Sequence, residues 1–451
     1  MLLAALVVFA ASCRKYRVIP DEGQDPRMSG GGQTVFDESS GAFGHVFTGL
    51  SKYDEKIHDR GDAAFEDVFV TAPSKINPGL GPIYNNSSCA SCHHNDGGGV
   101  APLPGGLLTS LLLRISVPGT DEHGGALPVP GYGIQIQPYA IFGTQKETDV
   151  AVTYNTQTFT FADGETVTLR SPVFTFNNPY APIPSNIMIS PRMALPNFGL
   201  GLLEGVGDAT LLAMADESDA NGDGISGRPN YVWDFISGKT AIGRFGHKAE
   251  KASLAAQVAF ALNEDIGITS KYAQDENCAG QPQYYDSGLH PELPDSLYDA
   301  LTFYLKTLQV PARRNVLSEQ VQRGEQLFKQ ANCVGCHKPT LVTEVNVAFP
   351  QVSNQVIHPY TDLLLHNMGP GLADGRPSYS ADGREWRTHP LWGLGLTNVV
   401  SGKAYYLHDG RATTVQEAIL WHGGEANNSK NFFVNLPKSD RDALLAFLQS
   451  L

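Results

Sequence analysis

Two pentapeptides decide how this chain can fold: Cys89-Ala90-Ser91-Cys92-His93 and Cys333-Val334-Gly335-Cys336-His337. The spacing Cys-x-x-Cys-His is typical of c-type haem attachment, in which two thiols bond the vinyl groups of one haem and the histidine becomes the proximal ligand of the iron. One copy would also suit a redox dithiol or half of a zinc site. Because both copies carry the histidine, the sequence predicts two covalently bound haem c groups, with His93 and His337 as iron ligands.

The composition fits a secreted redox protein. The 451 residues suffice for two or three domains, and 41% of them are hydrophobic. The net charge of -14 argues against nucleic acid as a partner and would steer a cationic partner towards the protein. We therefore expect the partner to be a small redox protein or a small-molecule electron donor.

The first residues resemble a bacterial lipoprotein signal. The apolar residues 2–9 are followed by Ala10-Ala11-Ser12-Cys13, in which Cys13 would be acylated after residues 1–12 are removed. A plain secretory signal is the alternative. Either signal leads us to expect the protein in the periplasm or at the cell surface, attached to the outer membrane only through lipid at Cys13. No later stretch has the roughly 20 apolar residues that span a bilayer.

The sequence pattern divides the chain into segments. Glycine and polar residues dominate residues 13–60, which we interpret as a tether. Residues 61–312 form the predicted N-terminal haem domain, with a β-rich insertion at about 107–176. Within the insertion, Phe159-Thr160-Phe161 faces Val167-Thr168-Leu169 across Asp163-Gly164, which predicts a hairpin. Residues 313–451 form the predicted C-terminal cytochrome c domain.

Helical periodicity is strongest in the second half. Apolar residues recur at helical spacing in residues 253–262, 295–308, 318–330 and 439–451. The third of these helices leads straight into Cys333, as at the beginning of a cytochrome c domain, and the fourth would close that domain. Ordinary core packing is the alternative interpretation for most of these apolar residues. The predicted fold is mainly α, with two cytochrome c-like haem domains and a β-rich insertion in the first.

Several further motifs accompany the two pentapeptides. They are Asp96-Gly97-Gly98-Gly99, Gly243-Arg244-Phe245-Gly246-His247-Lys248 with Gln257, Leu365-His366-Asn367-Met368-Gly369-Pro370, Leu407-His408-Asp409-Gly410-Arg411, and Ile419-Leu420-Trp421-His422-Gly423-Gly424-Glu425-Ala426. Together they resemble the di-haem cytochrome c peroxidase superfamily over about residues 60–451, and more narrowly its di-haem oxidoreductase branch. Proteins of this branch are often labelled thiol oxidoreductases, a label that conflicts with thiols bonded to haem.

The resemblance implies a role for each haem. In the superfamily the C-terminal haem takes up and relays electrons, and the N-terminal haem reacts with the oxidant. A tryptophan lies between them, followed by a glutamine and then a glutamate. Here His247 stands at the tryptophan position, Gln257 at the glutamine position, and Glu264 and Asp265 just short of the glutamate position. A glutamine amide and a carboxylate over an open haem would assist cleavage of a peroxide O–O bond, whereas a solvated helix face is the alternative for Gln257 and Glu264.

The resemblance also suggests the sixth ligand of the C-terminal haem. In the peroxidases a methionine downstream of the His-Asp-Gly motif takes this place. Here the position is His422, with Met368 and His366 as rivals, and His408 of the motif is counted among the cofactor-binding residues. Bis-histidine ligation would give a lower reduction potential than histidine–methionine ligation. The candidates at the N-terminal haem are His123, His94, His45 or no residue at all.

Two features fall outside the haem framework. Asp219-Ala220-Asn221-Gly222-Asp223-Gly224 matches the beginning of a calcium-binding loop, with Asp219, Asn221 and Asp223 as ligands. The twelfth position holds Asn230 instead of glutamate, and an Asx-rich surface turn is the alternative. Cys278 lies outside both motifs, and we expect it to be a buried or free thiol.

Three classes of function remain. The sequence favours a di-haem oxidoreductase of the peroxidase type, in which the C-terminal haem relays electrons to a catalytic N-terminal haem. The alternatives are an electron-transfer cytochrome without chemistry of its own and a haem-bearing accessory lipoprotein. Iron coordination separates the first two classes, because catalysis needs an open position on one iron and electron transfer does not.

Overall fold

The computed structural model describes residues 25–451 of the chain. The predicted signal peptide and the predicted acylation site Cys13 lie outside these residues. Among the residues described, no helix is both long enough and apolar enough to cross a bilayer.

The helices and strands are mostly short and alternate along the chain. The α-helices are α1 (Lys52–Glu66), α2 (Leu200–Glu204), α3 (Asp208–Met214), α4 (Leu254–Ala261), α5 (Asp295–Lys306), α6 (Glu319–Gln330), α7 (Thr397–Val400), α8 (Val415–Trp421), α9 (Asn427–Val434) and α10 (Lys438–Ser450). The strands are β1 (Thr34–Val35), β2 (Ile83–Tyr84), β3 (Leu111–Ser116), β4 (Tyr139–Ala140), β5 (Asp149–Thr160), β6 (Thr166–Asn177), β7 (Met188–Met193), β8 (Tyr231–Asp234), β9 (Lys239–Ile242), β10 (Val310–Pro311), β11 (Leu341–Val342), β12 (Val356–Ile357), β13 (Leu365–Asn367) and β14 (Glu385–Arg387). These strands form separate two-stranded ladders.

The secondary-structure content supports the prediction of a mainly α fold only in part. Helices account for 27% and strands for 19% of the described residues. The four helices predicted from periodicity are present as α4, α5, α6 and α10. The prediction underestimated the strands, because many of them are ladders of two or three residues that leave no alternating pattern in the sequence.

Two helix pairs repeat the same packing in the two halves. α1 crosses α5 at Gly61, where a Cβ atom would lie 2.1 Å from the Ala300 carbonyl oxygen. α6 crosses α10 at Gly324, where a Cβ atom would lie 1.9 Å from the Ala443 carbonyl oxygen. Only glycine lets two backbones approach this closely. Each pair brackets one Cys-x-x-Cys-His motif in the sequence, which agrees with one cytochrome-like helical unit in each half.

Residues 25–51 pack as part of the fold, which corrects the interpretation of residues 13–60 as a tether. β1 pairs in parallel with β10, and Phe43 is fully buried in the first core. The glycines that suggested flexibility permit close packing instead, since a Cβ atom at Gly30 would lie 2.8 Å from the Val310 side chain.

The two halves share a hydrophobic core. Side chains of α1, α2, α4 and α5 pack against residues from beyond the predicted boundary at residue 312: Leu341, Val352, Ile357, Leu363, Trp392 and Leu396. This shared packing holds the two Cys-x-x-Cys-His motifs in a fixed relation to each other.

The predicted hairpin is present and is longer than the sequence indicated. β5 and β6 contain 12 residues each, and Phe159 lies opposite Val167. Gly164 has a φ of 90°, which the tight turn requires. The β-rich region also continues beyond residue 176, because β3 pairs with β7 as far as Met193.

The tip of this hairpin packs into the core of the second half. Phe161 and Leu169 are buried there together with side chains of α6, α8, α9 and α10. Arg441 of α10 donates hydrogen bonds to Asp163 at 2.6 Å and to Glu165 at 2.8 Å, and its guanidinium group lies 4.0 Å from the centre of the Phe161 ring. We call this contact the hairpin clasp, because it attaches an element of the first half to the second.

Replacing Phe161 by alanine should destabilise the haem-loaded protein by about 3–5 kcal/mol, since the change removes a buried ring and leaves a cavity. The midpoint of urea unfolding, followed by far-UV circular dichroism, measures the loss. Thr158→Ala is the control, because Thr158 lies exposed on the same strand and should change stability by about 0.5 kcal/mol or less. Equal midpoints for Phe161→Ala and Thr158→Ala would show that the clasp does not stabilise the fold.

Candidate functional site

A large cavity in the interior is lined by both Cys-x-x-Cys-His motifs. Its volume is about 820 Å³, and most of its wall is apolar. The motif residues on its wall are Cys89, Cys92, His93, Cys333, Cys336 and His337. The fold therefore brings two motifs that are far apart in the sequence to one enclosed space.

Local structure positions the two motif histidines in the same way. The backbone N–H of His93 donates to the Cys89 carbonyl oxygen at 3.0 Å, and the second motif has the equivalent bond at 2.9 Å. Nδ1 of His93 lies 2.7 Å from the Leu195 carbonyl oxygen, and Nδ1 of His337 lies 3.0 Å from that of Tyr360. Each ring therefore carries its proton on Nδ1 and keeps Nε2 for a metal. Burial lowers the pKa of both histidines to about 4, so the rings are neutral, as metal ligands must be.

The motif cysteines face the cavity and form no disulfide. Enclosure by the protein raises the pKa of Cys89, Cys92 and Cys333 to about 12, and it raises the pKa of Cys336 as well. A redox dithiol or a zinc site would need thiolates. The described part of the chain also contains no group of three or more histidine, cysteine, aspartate or glutamate side chains that could hold a metal ion. The thiols are therefore suited to thioether bonds with a prosthetic group.

His422 lines the cavity in the neighbourhood of the second motif. It follows α8 directly and lines the cavity, as does its rival Met368. Nδ1 of His422 lies 2.7 Å from the Ala418 carbonyl oxygen, so this ring also keeps Nε2 for a metal. His422 is near enough to His337 for its charge to contribute to the lowered pKa of that residue. His337 and His422, which both carry their proton on Nδ1, thus lie in the same part of the cavity.

His366 is not available as a ligand. Its Nδ1 lies 2.8 Å from a carboxylate oxygen of Glu425, and its Nε2 lies 2.9 Å from one of Asp362. Although burial opposes protonation, Asp362 raises the pKa of His366 well above its ordinary value. Both nitrogens therefore carry protons that the carboxylates accept, and neither has a lone pair for iron.

The histidines considered for the N-terminal haem lie away from the cavity wall. Nε2 of His45 is 2.7 Å from Asp37, and His94 is exposed. The ring of His123 stacks on Trp233 with centroids 4.0 Å apart. None of the three histidines therefore stands on the cavity wall.

Buried cations line one side of the cavity. We call them the cationic cluster: Arg114, Arg192, Lys251, Arg376 and Arg387. Few carboxylates lie near enough to balance their charge. Glu250 lies 3.2 Å from Arg192, and the nearby Asp374 is already bound to Lys248 at 2.8 Å. Burial, together with repulsion from neighbouring cations, lowers the pKa of Arg376 to about 9 and that of Lys251 to about 8.

The cationic cluster fits the propionate groups of haem. Nη1 of Arg114, both Nη atoms of Arg192 and Nε of Arg376 are buried and have no hydrogen-bond partner among the described residues. Leaving such donors unpaired is unfavourable unless an anion accepts their hydrogen bonds. Haem carries two propionate carboxylates, and the cluster lines the same cavity as the thiols and the motif histidines. The cavity therefore offers thiols that suit the vinyl groups of haem and cations that suit its propionate groups.

One face of α4 supplies polar groups to the cavity. Ser253 caps the helix by accepting a hydrogen bond from Ala256 N at 3.1 Å, and α4 continues into a π turn, Leu262–Ile266. Gln257 and Asp265 line the cavity, whereas Glu264 does not. The reason is helical spacing, since positions 257, 261 and 265 fall on one face. Of the two carboxylates left open by the sequence, the structure thus brings Asp265 to the wall.

Both carboxyl groups of the π turn are shifted towards neutrality. Burial raises the pKa of Glu264 to about 7 and raises that of Asp265 above its ordinary value, although Arg114 opposes both shifts. A carboxyl group that titrates near neutral pH can both accept and release a proton.

A chain of buried contacts connects the two motif histidines. A ring nitrogen of His389 lies 3.2 Å from one of His247. Nε2 of His247 lies 2.7 Å from the carbonyl oxygen of Met193. Met193 stands two residues before Leu195, whose carbonyl oxygen accepts the hydrogen bond from Nδ1 of His93. At the other end, His389 lies close enough to His337 for an electrostatic interaction.

A tryptophan lies beside this chain, although the sequence position expected for it holds His247. The buried Trp386 meets the His247 ring edge-on at 6.3 Å and stacks on His408 at 3.9 Å. Lys248 and Arg192 lie 4.7 and 4.9 Å from the centre of its ring. Cations at this distance oppose removal of an electron from the indole, so Trp386 is suited to mediate tunnelling rather than to hold a positive charge.

His408 has the features expected of a cofactor-binding residue. It lines the cavity, and its Nδ1 lies 3.0 Å from the Pro191 carbonyl oxygen. Its Nε2 is buried and has no hydrogen-bond partner among the described residues. This nitrogen is therefore available to a group bound in the cavity.

The predicted calcium loop forms a turn that satisfies its own polar groups. Asp219 accepts a hydrogen bond from Gly224 N at 3.1 Å, and Asn221 accepts one from Asp223 N at 2.8 Å. Asn230 is buried and donates to Lys248 O, away from the loop. Since the described residues offer no acidic or histidine cluster for a metal ion, the Asx-rich turn explains this sequence and calcium gains no support.

The sequence analysis missed the cationic cluster. Arg114 is the one charged residue of the mostly apolar strand β3. A single arginine in an apolar strand could have indicated a buried cation. Arg192, Arg376 and Arg387 carry no comparable signal, because their common environment arises only when distant segments meet.

Comparisons with curated proteins and with solved structures give no close likeness. No curated protein matches the sequence. Among solved structures, hydrazine synthase of Kuenenia stuttgartiensis is similar over 100% of both chains, with 12% identity and a TM-score of 0.38. A MauG-like protein associated with microbial copper homeostasis is similar over 56% of this chain and 89% of its own, with 17% identity and a TM-score of 0.28. Both likenesses are too distant to carry an argument about the fold.

The family comparison is more informative. The sequence model of the family described as "Di-haem oxidoreductase, putative peroxidase" matches residues 24–451. The match includes both pentapeptides, the cationic cluster and the whole cavity wall. The chain belongs to the di-haem oxidoreductase family.

Proposed function

We propose that the protein is a di-haem c-type cytochrome of the peroxidase type, which reduces a peroxide in the N-terminal half with electrons relayed from the C-terminal half. The observation that carries the proposal is the common cavity, on whose wall both Cys-x-x-Cys-His motifs lie. Haem bound through these motifs would supply electron transfer and, where its iron keeps an open coordination position, the reduction of peroxide.

The residues of the N-terminal half would handle the substrate. Gln257 of α4 and Asp265 of the π turn that follows it both line the cavity. The glutamine amide can donate a hydrogen bond to the departing oxygen, and the aspartate can carry a proton from one peroxide oxygen to the other. The distance of His45, His94 and His123 from the wall supports an open coordination position in this half.

The residues between the motifs would conduct electrons. The hydrogen-bonded pair of His389 and His247 and the neighbouring Trp386 provide a nearly continuous path of packed atoms. His422 would complete bis-histidine coordination opposite His337, which suits an electron-transfer site because a filled coordination shell changes little on reduction. The division of labour between the two halves follows from this difference in axial groups.

The location and the partner form a further part of the proposal. Covalent haem attachment and the lipoprotein-like residues 1–13 support a protein that acts in the periplasm or at the cell surface, held at the outer membrane by lipid on Cys13. The electron donor would be a small redox protein or a small molecule. The net charge of -14 supports a cationic donor.

Protein matured with its haem-attachment machinery should carry two covalent haem groups. Intact mass spectrometry after denaturation should show two haem additions for the wild type and one for either Cys89→Ala/Cys92→Ala or Cys333→Ala/Cys336→Ala. Cys278→Ala is the control and should keep both, because Cys278 is buried away from the motifs. A wild-type mass with fewer than two additions would contradict covalent attachment.

His422→Ala should convert one low-spin haem to high spin, because the variant loses the sixth ligand of the C-terminal iron. Electron paramagnetic resonance and the optical spectrum of the ferric protein measure the change. Met368→Ala is the matched control, since Met368 lines the same cavity, and its spectrum should equal that of the wild type. A spin change in Met368→Ala without one in His422→Ala would transfer the assignment to the methionine.

The reduced protein should react with hydrogen peroxide, and Gln257→Ala and Asp265→Asn should each slow the reaction by about 10²-fold, because general acid–base assistance is typically of this size or larger. Stopped-flow absorbance of the re-oxidised haem gives the rate. Gln322→Ala, an exposed glutamine on α6, is the control. A wild-type rate no faster than that of free haem, with both irons six-coordinate, would favour the electron-transfer cytochrome.

A further inference from the structure

A line of buried polar side chains leads from the cavity wall towards the surface. We call it the polar seam: Gln135, Gln137, Glu147, Gln281, Glu276 and Gln283. Each of these residues is less than a tenth exposed. None of them belongs to the motifs or to the site described above, and burial of so many amides and carboxyl groups in one region is unfavourable unless hydrogen bonds satisfy them.

The inner end of the polar seam contacts the π turn that follows α4. Nε2 of Gln135 donates to Oδ1 of Asp265 at 2.9 Å, and Nε2 of Gln137 donates to the carbonyl oxygen of Glu264 at 2.7 Å. The backbone N–H of Gln137 in turn donates to Oε2 of Glu147 at 2.7 Å. The inner end of the polar seam is thus hydrogen-bonded to both Glu264 and Asp265 of the π turn, and the backbone around Gln137 joins it to the Glu147 carboxyl group behind the wall.

The outer end of the polar seam lies beneath a surface loop. The amide of Gln281 hydrogen-bonds the carboxyl group of Glu147. Cys278 is near enough to both Glu147 and Glu276 for their charges to affect its thiol. On the same loop Gln283 points inwards, whereas Asp275 and Tyr284 are exposed. The seam therefore ends one residue layer below solvent.

Several atoms of the polar seam have no hydrogen-bond partner among the described residues. They are Oε1 of Gln137, Oε1 of Gln281, Oε2 of Glu276 and both amide atoms of Gln283, together with the adjacent Oγ of Ser270 and Oδ1 of Asn277. Buried polar atoms left unpaired cost about 1–3 kcal/mol each, so proteins satisfy them with ordered water. Water molecules bound at these atoms would let protons pass between the carboxyl groups of the polar seam.

The carboxyl groups of the polar seam hold protons near neutral pH. Burial raises the pKa of Glu147 well above its ordinary value, and the ionisable groups that face it are Glu264, Cys278, Tyr132 and Tyr180, none of them a cation. Burial raises the pKa of Glu276 to about 8, and repulsion from Glu292 and Asp286 adds to the shift.

At the inner end Glu264 faces Arg114, Lys251 and Asp265, and burial raises its pKa to about 7. Carboxyl groups with these properties can take up protons from solvent and release them towards the cavity.

We propose that the polar seam is a proton path, which carries protons from the loop around Glu276 through Glu147 to Asp265 on the cavity wall. The proposal rests on the proposed function, because reduction of a peroxide to two waters takes up two electrons and two protons. The O–H bond of the Glu147 carboxyl breaks, the proton passes through water to the Asp265 carboxylate, and Glu147 regains a proton from Glu276. No electron moves in these steps, and the proton finally comes from solvent.

Glu147→Gln tests the path, since the amide keeps the shape and the hydrogen bonds of the carboxyl group but cannot release a proton. Proton uptake during the reaction of the reduced holoprotein with peroxide, followed with a pH-indicator dye, should slow by about ten-fold or more. Glu276→Gln at the outer end should slow it as well, and this variant serves if Glu147→Gln does not fold. Glu319→Gln is the control, because Glu319 is exposed on α6 and lies outside the polar seam, so this variant should leave the rate unchanged.

The wild-type uptake rate should fall as the pH rises through about 7 to 8, where Glu264 and Glu276 lose their protons. Unchanged uptake rates in both Glu147→Gln and Glu276→Gln would overturn the proton path while leaving the proposed function intact.

A second measurement does not depend on peroxide. The infrared difference spectrum between the reduced and oxidised holoprotein should contain a protonated-carboxyl band that is absent in Glu147→Gln, because a charge added at the cavity changes the field at this group. If the protein does not react with peroxide, the proposed function fails and this band alone decides the proton path. A difference spectrum identical in Glu147→Gln and the wild type would overturn it.

Discussion

An excess of positive charge around the cavity is the constraint on which the rest of the structure depends. Arg114, Arg192 and Arg376 come from three distant segments and present donors without hydrogen-bond partners to one cavity, and Glu250, 3.2 Å from Arg192, balances only part of their charge. Such groups repel one another and are poorly solvated, so further anions in their midst stabilise the arrangement. The propionates of haem would meet this need, and the cofactor would then act as a structural counter-ion as well as a redox group. The apolar part of the cavity wall imposes the same dependence through packing, since a large apolar cavity in a core is destabilising unless it is filled.

The parts of the fold that were predictable from the sequence are those with a local signal. The Cys-x-x-Cys-His pentapeptides carry their chemistry within five residues, and α4, α5, α6 and α10 have apolar residues at helical spacing. The tight turn at Gly164 is equally local. The choice between Glu264 and Asp265 was not predictable, because it depends on which face of α4 meets the cavity. The cationic cluster and the neighbourhood of Trp386 with His247 were also hidden, since each arises from segments that are distant in the sequence. Residues 25–51 were misjudged because their glycines serve close packing, which composition cannot distinguish from flexibility.

The structure separates the routes by which electrons and protons would reach the cavity. The histidine pair and Trp386 approach from the side of the second motif and are surrounded by cations. The polar seam approaches from the loop around Glu276 and contains carboxyl groups and amides. A route for electrons tolerates fixed positive charge, whereas a route for protons does not, because a fixed cation lowers the proton affinity of nearby carriers. Only near Arg114, Lys251 and Asp265 do the two environments meet.

The hairpin clasp also constrains the order in which the molecule can assemble. The tip of the hairpin, residues 161–169, packs against α10, which is synthesised after the second pentapeptide. Until α10 is present, Phe161 and Leu169 lack most of the core that they enter, and the closing of so long a chain segment is slow. The second pentapeptide also precedes α8 and α9 in the sequence, so it is complete before the clasp can close. The topology therefore provides an interval in which Cys333 is not yet packed against this core, and closure of the clasp ends that interval.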